Sequence, residues 1–360
     1  MSDSPLSLAV QACETMMRKF DAPSLPPKGH FHYHQGVFLS GMLNTWRLTG
    51  DRRYFDYAKA WIDSVFDADG HMKDAIPGML DDIQPGILLY PILDETGDEY
   101  YLSCLRSVRD SLRQTPRDAD GGYWHKTTTP GQMWLDGLYM GGPFSMEYAA
   151  RFGDEELKQT TLLQPKLMFE HTRDPKNGLL FHAWDGEKKE DWADPVTGCS
   201  PEHWGRAMGW VPVALLDEMD FLSEEEYDSL GALVKELLGA LLPFQSEDGR
   251  WYQVVDKGDQ EGNWLENSCS CLYTAALAKA VRTGLLSAKY AENARRGFAG
   301  VAASLGHNGD DLLIGNVCIG TGVGDYPFYC ARPVSVNDLH GVGAFLLMCA
   351  EMERMERTGK

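Results

Sequence analysis

The chain of 360 residues carries 53 acidic against 33 basic side chains, a formal charge of −20 at pH 7. That surplus argues against nucleic acid, anionic membrane and long polyanions as partners, and the lack of a Ser/Gly/Pro-rich hinge or a long apolar run predicts one undivided domain over 1–360 with no membrane span. Eight cysteines without C-x-x-C or framework spacing, and an opening Met1-Ser2-Asp3-Ser4-Pro5 without the basic start and apolar run of a secretory signal, predict a reduced, cytoplasmic protein.

The first expected element is a helix from about Pro5 to Phe20. His30, His32 and His34 then alternate, but no second cluster at zinc spacing follows, so no metal is expected. From there one unit recurs. An inner helix opens on His34-Gln35-Gly36-Val37-Phe38-Leu39, a Thr49-Gly50 turn and an N-capping Asp51 begin an outer helix, and Asp69-Gly70 ends the unit. On that outer helix Tyr54, Ala58, Trp61, Ile62, Val65 and Phe66 share one face. The second unit opens on Gln84-Pro85-Gly86, starts its outer helix at Asp98 and ends at Asp120-Gly121-Gly122. The third uses Leu135-Asp136-Gly137, Asp154 and Asn177-Gly178; the fourth Arg206-Ala207-Met208-Gly209, Ser223 and Asp248-Gly249; the fifth Ser268-Cys269-Ser270, Ser287 and Asn308-Gly309. A sixth inner helix, from about Asp338 to Met355 with His340-Gly341-Val342-Gly343 at its start, has no helix after it, and the N-terminal helix has none before it. Joining the two buries both. The prediction is an all-α (α/α)6 barrel of six hairpins, with every inner helix starting at the same end. Pro91, Pro143 and Pro212 fall inside inner helices and should kink them or mark their ends.

Chemistry is expected at the mouth where the inner helices start. Asp81 or Asp82, Asp136 and Asp338 are the candidate carboxylates there. A single Asp at a helix start is most often a cap, but Asp136 lies between Trp134 and Tyr139, and aromatic surroundings raise a carboxyl toward the range of a general acid. Trp134, Trp204 and Trp210 accompany Asp136 and Arg206 and suit sugar stacking; Trp124, Trp184 and Trp251, which follow the glycine turns, suit loop packing equally well. Arg206, Arg332, Lys126, His34, His125 and His182 supply basic groups for a small anion. Gly320-Thr321-Gly322-Val323-Gly324 lacks the strand–helix setting of a phosphate loop and is expected to be a tight turn shaping the pocket.

Taken in order, Trp134-Leu135-Asp136-Gly137-Leu138-Tyr139-Met140, His182-Ala183-Trp184, Trp204-Gly205-Arg206 with Trp210, Gly320-Thr321-Gly322 and Arg332-Pro333 through Asn337-Asp338-Leu339-His340-Gly341 resemble the unsaturated glucuronyl and rhamnogalacturonyl hydrolases of glycoside hydrolase family 105, related to family 88. The resemblance runs from about Phe31 to Glu351. It implies the same barrel and removal of a 4,5-unsaturated uronic acid from the non-reducing end of a short oligosaccharide, without a metal or organic cofactor. It also implies that Asp136 is the general acid/base and that Asp81 is a second carboxylate that holds sugar hydroxyls or assists. His34, His125, Lys126, Trp134, His182, Trp204 and Arg206 would line the uronate subsite, with Trp210 beside them. One stretch departs from the family's Trp-x-Arg-Gly-Asn-x-Trp: it has Ala207-Met208 in place of Gly-Asn. Two other reactions fit the same residues. A conventional inverting glycosidase would use Asp81 and Asp136 as acid and base, and an epimerase or isomerase would use His182 and His340 as proton carriers.

Overall fold

The computed structural model describes residues 4–359, so Met1, Ser2 and Asp3 of the expected signal-free opening lie outside it. Thirteen α-helices follow in chain order: α1 (Pro5–Lys19), α2 (Tyr33–Thr49), α3 (Arg52–Val65), α4 (Leu89–Thr96), α5 (Tyr100–Leu112), α6 (Asp136–Phe152), α7 (Glu155–Thr172), α8 (Gly205–Glu218), α9 (Glu224–Leu241), α10 (Asn267–Thr283), α11 (Ala291–Ala303), α12 (Tyr326–Cys330) and α13 (Leu339–Arg357). None of the described helices is long and apolar enough to cross a membrane.

Six of them form the inner wall. α2 packs against the 3-10 turn Gln84–Leu88 that leads into α4, that turn against α6, α6 against α8, α8 against α10, α10 against α13, and α13 back against α2. The ring is closed. α3, α5, α7, α9 and α11 each pack outside the inner helix that precedes them, and α1 packs on α13 and α2, which completes the (α/α)6 barrel.

The outer helices begin where their caps stand. The carboxylates of Asp51 and Asp154 accept from the backbone N–H groups of Arg53 and Leu157, and Ser223 with Glu226 forms a reciprocal capping box. α3 is amphipathic for the reason its spacing gives: Tyr54, Ala58, Trp61, Ile62 and Val65 are buried, while Arg52, Arg53 and Asp56 stay in water. Ser287 differs, since it precedes a 3-10 turn (Ala288–Tyr290) and makes no side-chain cap bond.

Neither Pro143 nor Pro212 ends its helix. Pro143 and Pro212 lie within α6 and α8, and both helices run on past them; Pro91 sits in the first turn of α4, where a missing N–H costs nothing. Helix α4 is short because Gln84–Leu88, predicted as its opening, is wound as a 3-10 turn.

The ring closes by close backbone approach. A Cβ on Gly343 of α13 would lie 2.6 Å from the backbone nitrogen of Phe38 and the carbonyl carbon of Val37 on α2. Two of the three atoms it would meet are main chain and cannot swing aside; the third is Cγ1 of Val37. Gly343→Ala is therefore expected to lower the unfolding free energy by about 1–3 kcal/mol, measured from the urea midpoint at unchanged slope.

Candidate active site

A cavity of about 300 Å³ opens at the N-terminal ends of the inner helices. His32, Tyr33 and His34 reach it from the start of α2, Asp81 from the turn before α4, His125 and Lys126 from the loop after α5, Trp134, Asp136 and Met140 from the start of α6, and Gly320, Thr321 and Gly322 from the loop before α12. A larger cavity, about 420 Å³, lies among the C-terminal halves of the same helices. Its charges largely neutralise one another: Arg151 pairs with Asp94, Lys279 with Asp217 and Arg354 with Glu351. The smaller cavity gathers the reactive groups.

Asp136 is the first residue of α6, and a two-stranded sheet fixes what faces it. Gln132–Trp134 pairs antiparallel with Ala183–Asp185, Trp134 opposite Ala183, and the N–H of Leu135 donates to the carbonyl of His182. Residues 46 apart in sequence thereby meet: His182 Nε2 lies 3.0 Å from Asp136 Oδ2. Tyr329 Oη is 2.6 Å from the other ring nitrogen, Nδ1, and accepts from the N–H of Gly324 at 3.2 Å. With that N–H already donated to it, the tyrosine hydroxyl gives its proton to Nδ1, so Nε2 carries the imidazole hydrogen and donates it to Asp136.

Burial pushes the Asp136 carboxyl upward, but the His182 hydrogen bond and the charges of His182, His125 and Arg206 outweigh it, and the net shift is downward. This corrects the expectation from its aromatic neighbours. Trp134 is present, but His182 was invisible at that range.

Asp81 is more tightly held. Lys126 Nζ donates to its Oδ2 at 2.8 Å, His125 Nε2 stands 3.5 Å from Oδ1, and His32 Nε2 4.0 Å from Oδ2. Burial raises this carboxyl too, yet the three basic neighbours hold it far below the usual range, so Asp81 is ionised throughout the physiological window. Asp82 plays a different part: its carboxylate accepts from the N–H of Ile76 at 2.8 Å, and burial pushes it up to about 7. His125 stacks on Trp134, with centroids 4.5 Å apart and planes at 19°, and Lys126 Nζ lies 5.1 Å from the Trp134 ring. Burial lowers His125 to about 4, so it is neutral at pH 7.

Of the residues expected to line the pocket, Asp136, Asp81, His34, His125, Lys126 and Trp134 do so. His182 is fully buried behind Asp136. Trp204 and Trp210 are corrected as sugar platforms: Trp204 is buried against His182 and Tyr329, and Trp210 stacks on Tyr139 in the core, centroids 4.7 Å apart. Trp204 is the extended residue that precedes α8 and Trp210 lies inside that helix, so the two rings have different surroundings. Arg206 is also buried. It donates to the carbonyls of Cys318 at 2.6 Å and Ile319 at 2.8 Å, just before the glycine loop, while Arg332 donates to the carbonyl of Gly320 and the hydroxyl of Thr321. Two guanidinium groups thus pin Gly320–Thr321–Gly322 against the cavity. In place of the family's Asn, Met208 offers its sulfur to the N–H of Leu180 at 3.4 Å. Tyr33 and Tyr329 had no sequence signal beyond their neighbourhood, since their partners are remote.

A closed helical barrel with paired carboxylates, aromatic rings and basic groups at one mouth is the architecture of a glycoside hydrolase. The chain belongs to Glycosyl Hydrolase Family 88, whose model matches residues 8–356. It is similar to the solved family 105 glycoside hydrolase of C. acetobutylicum ATCC 824, with 31% identity, a TM-score of 0.91, and coverage of 96% of this chain and 99% of that one. It is also 32% identical over 229 residues to a 24.9 kDa protein of the picA locus of Rhizobium radiobacter, covering 59% of this chain and 97% of that protein. To the unsaturated rhamnogalacturonyl hydrolase YesR of Bacillus subtilis it is 25% identical over 297 residues, 80% of this chain and 79% of that protein.

Tyr329→Phe tests the relay behind Asp136. Without the hydroxyl, Nδ1 of His182 takes the ring proton and Nε2 turns a lone pair on the carboxylate, which raises the Asp136 pKa. The expected result is a fall in kcat of roughly 5- to 150-fold, equivalent to about 1–3 kcal/mol for a buried unsatisfied group. The alkaline limb of kcat/KM should also move to higher pH. A purely structural tyrosine would leave that limb in place.

Proposed function

We propose that this glycoside hydrolase removes a 4,5-unsaturated uronic acid from the non-reducing end of a short oligosaccharide, by protonation at C4 and hydration at C5. The reading rests on the inequality of the two carboxylates: Asp81 is committed to Lys126 and His125, so Asp136, held by one imidazole N–H, is the proton carrier left in the cavity. A carboxylate as acidic as Asp81 makes a weak base toward water. Its lone pairs suit sugar hydroxyls instead.

The anionic end of the substrate has its own receptors. The N–H groups of Gly320, Thr321 and Gly322 find no acceptor among the described residues, and all three residues line the cavity close to Lys126 and Trp134. A uronate carboxylate docked there brings negative charge toward Asp136 and raises its pKa into the range of a working acid. Similarity to the B. subtilis rhamnogalacturonyl hydrolase supports the same substrate class. A cavity of about 300 Å³ suits one or two sugar rings, hence a lyase-generated fragment rather than an intact polymer. We further propose that 1–360 acts as a single catalytic domain and works in the cytoplasm, in keeping with eight free thiols.

The chemistry follows from the substrate. The C4=C5 bond joins the ring oxygen and is a vinyl ether. Asp136 gives its proton to C4, positive charge develops at C5 and the ring oxygen, and water adds at C5 while returning a proton to the Asp136 carboxylate. The hemiketal opens, and the aglycone leaves C1 as an alcohol. Neither a metal nor an organic cofactor enters these steps.

Asp136→Asn is expected to reduce kcat well below a tenth of wild type, since general acid–base help is worth roughly 10²–10⁴-fold, while the nearly isosteric amide keeps the fold and sugar binding. The reaction type is read in D₂O and H₂¹⁸O: deuterium at C4 and ¹⁸O at C5, with loss of the conjugated ultraviolet absorbance, are expected. Label confined to C1 would establish displacement at the anomeric carbon instead.

Arg206→Lys tests the pinned glycine loop. A lysine keeps the charge but cannot reach both carbonyls with a planar fork. KM for the unsaturated substrate should rise clearly, with a smaller effect on kcat, and an unchanged KM would detach Arg206 from substrate binding.

A further inference from the structure

His340 stands in the first turn of α13 with no exposed surface, and its Nε2 is 2.9 Å from the carbonyl oxygen of Cys318. A carbonyl only accepts, so Nε2 bears the ring hydrogen and Nδ1 is left with a lone pair. That nitrogen lies 2.8 Å from Asp338 Oδ1, an ion pair when the ring is protonated and a pair of lone-pair donors when it is neutral. In the neutral form, two electron-pair donors face each other at contact distance inside the protein.

His34 adds a third. Its Nε2 is 4.0 Å from the same Asp338 oxygen, and its Nδ1 is 3.0 Å from Nδ1 of His32. One hydrogen serves that Nδ1–Nδ1 contact, and when His34 carries it the other nitrogen of a neutral His34 ring, Nε2, bears a lone pair. In that tautomer the Nε2 of His34 also presents a lone pair toward Asp338. Two imidazole nitrogens and one carboxylate oxygen converge, all within 4.8 Å of one another.

From this geometry we propose that His34, Asp338 and His340 form a binding site for one first-row divalent cation of the zinc class. A single proton satisfies one pair of these donors; a divalent ion satisfies all three. Imidazole with carboxylate suits Zn²⁺ and Co²⁺ and disfavours Mg²⁺ and Ca²⁺, which prefer all-oxygen sets. Bonds of about 2.1 Å meeting near a right angle place their donors about 3 Å apart, close to the His340–Asp338 separation, while the 4.0 Å to His34 has to shorten by about 0.6 Å for tetrahedral ligation. The hydrogen bond from His340 Nε2 to Cys318 is the outer support that orients a metal-bound imidazole. Because His34 also lines the catalytic cavity, the remaining coordination positions open onto it and accept water or a sugar oxygen. The site is separate from the proton transfer assigned to Asp136 and stands whichever reaction the enzyme performs.

The sequence alone could not supply this set, because His34 and Asp338 come from opposite ends of the chain and meet only through ring closure. A second group, Asp67, Asp69 and His71, also comes together, but on the surface, and provides the control. The tag-free, chelator-stripped full-length enzyme is titrated with Co²⁺ under equilibrium dialysis, with the visible absorption of the bound ion recorded, followed by displacement with Zn²⁺. One tightly bound equivalent is expected, its spectrum lost on adding Zn²⁺. His340→Ala risks misfolding, so the decisive variants are His34→Ala and Asp338→Asn at half-buried positions, with folding checked by circular dichroism. Each should weaken Co²⁺ binding at least tenfold, and His71→Ala should leave it unchanged. Absence of stoichiometric binding, binding indifferent to His34→Ala and Asp338→Asn, or binding lost in His71→Ala would overturn the proposal.

Discussion

The contact between the last inner helix and the first is the constraint on which the molecule depends. Helices α13 and α2 meet so closely that main chain touches main chain at Gly343, and only this contact converts five sequential hairpins plus two end helices into a ring. A ring forces every inner helix to start at the same end. The positive ends of the inner-helix dipoles are then directed at one mouth, with α10 already capped by Glu266, and this favours an anion there in a protein of formal charge −20.

Within that mouth the two carboxylates are separated by environment rather than by type. Lys126 and His125 hold Asp81 as a permanent anion, whereas Asp136 has a single imidazole donor whose tautomer is set one shell further out by Tyr329. The glycine loop is treated the same way: its shape is fixed from behind by Arg206 and Arg332, and its own N–H groups are left free. Rigid support behind and unspent donors in front is the arrangement that electrostatic preorganisation requires.

Much of the fold was legible because it was written locally. Asp51, Asp154 and Ser223 cap helices through hydrogen bonds spanning two or three residues, and the face of α3 follows from its own spacing. The 3-10 winding of Gln84–Leu88 was not legible, since a Pro-Gly opening is compatible with either helix type and packing against α2 and α6 decides. In the cavity, Asp136, His125 and Lys126 were visible as local clusters at a predicted helix mouth. The lowered pKa of Asp136 was not, because its cause sits on the partner strand's side of a sheet. Trp204 and Trp210 were overread for a related reason: an aromatic near a reactive residue in sequence is equally suited to the wall behind it, and burial alone distinguishes the two. The roles of Tyr329, Asp338 and His340 depend on contacts spanning most of the chain.

The position of α1 has a consequence for how the protein is made. Its buried face, with Leu8, Ala12 and Met16, rests on α13 and α2, and Thr15 and Arg18 bond to residues 310–312. This helix, synthesised long before α13, must therefore wait for it. At roughly 5–20 residues per second of synthesis, that interval is on the order of tens of seconds, during which an amphipathic helix and an open barrel edge stand without their partner. The nascent chain is a natural client for a holding chaperone until α13 has emerged, and ring closure waits on that helix.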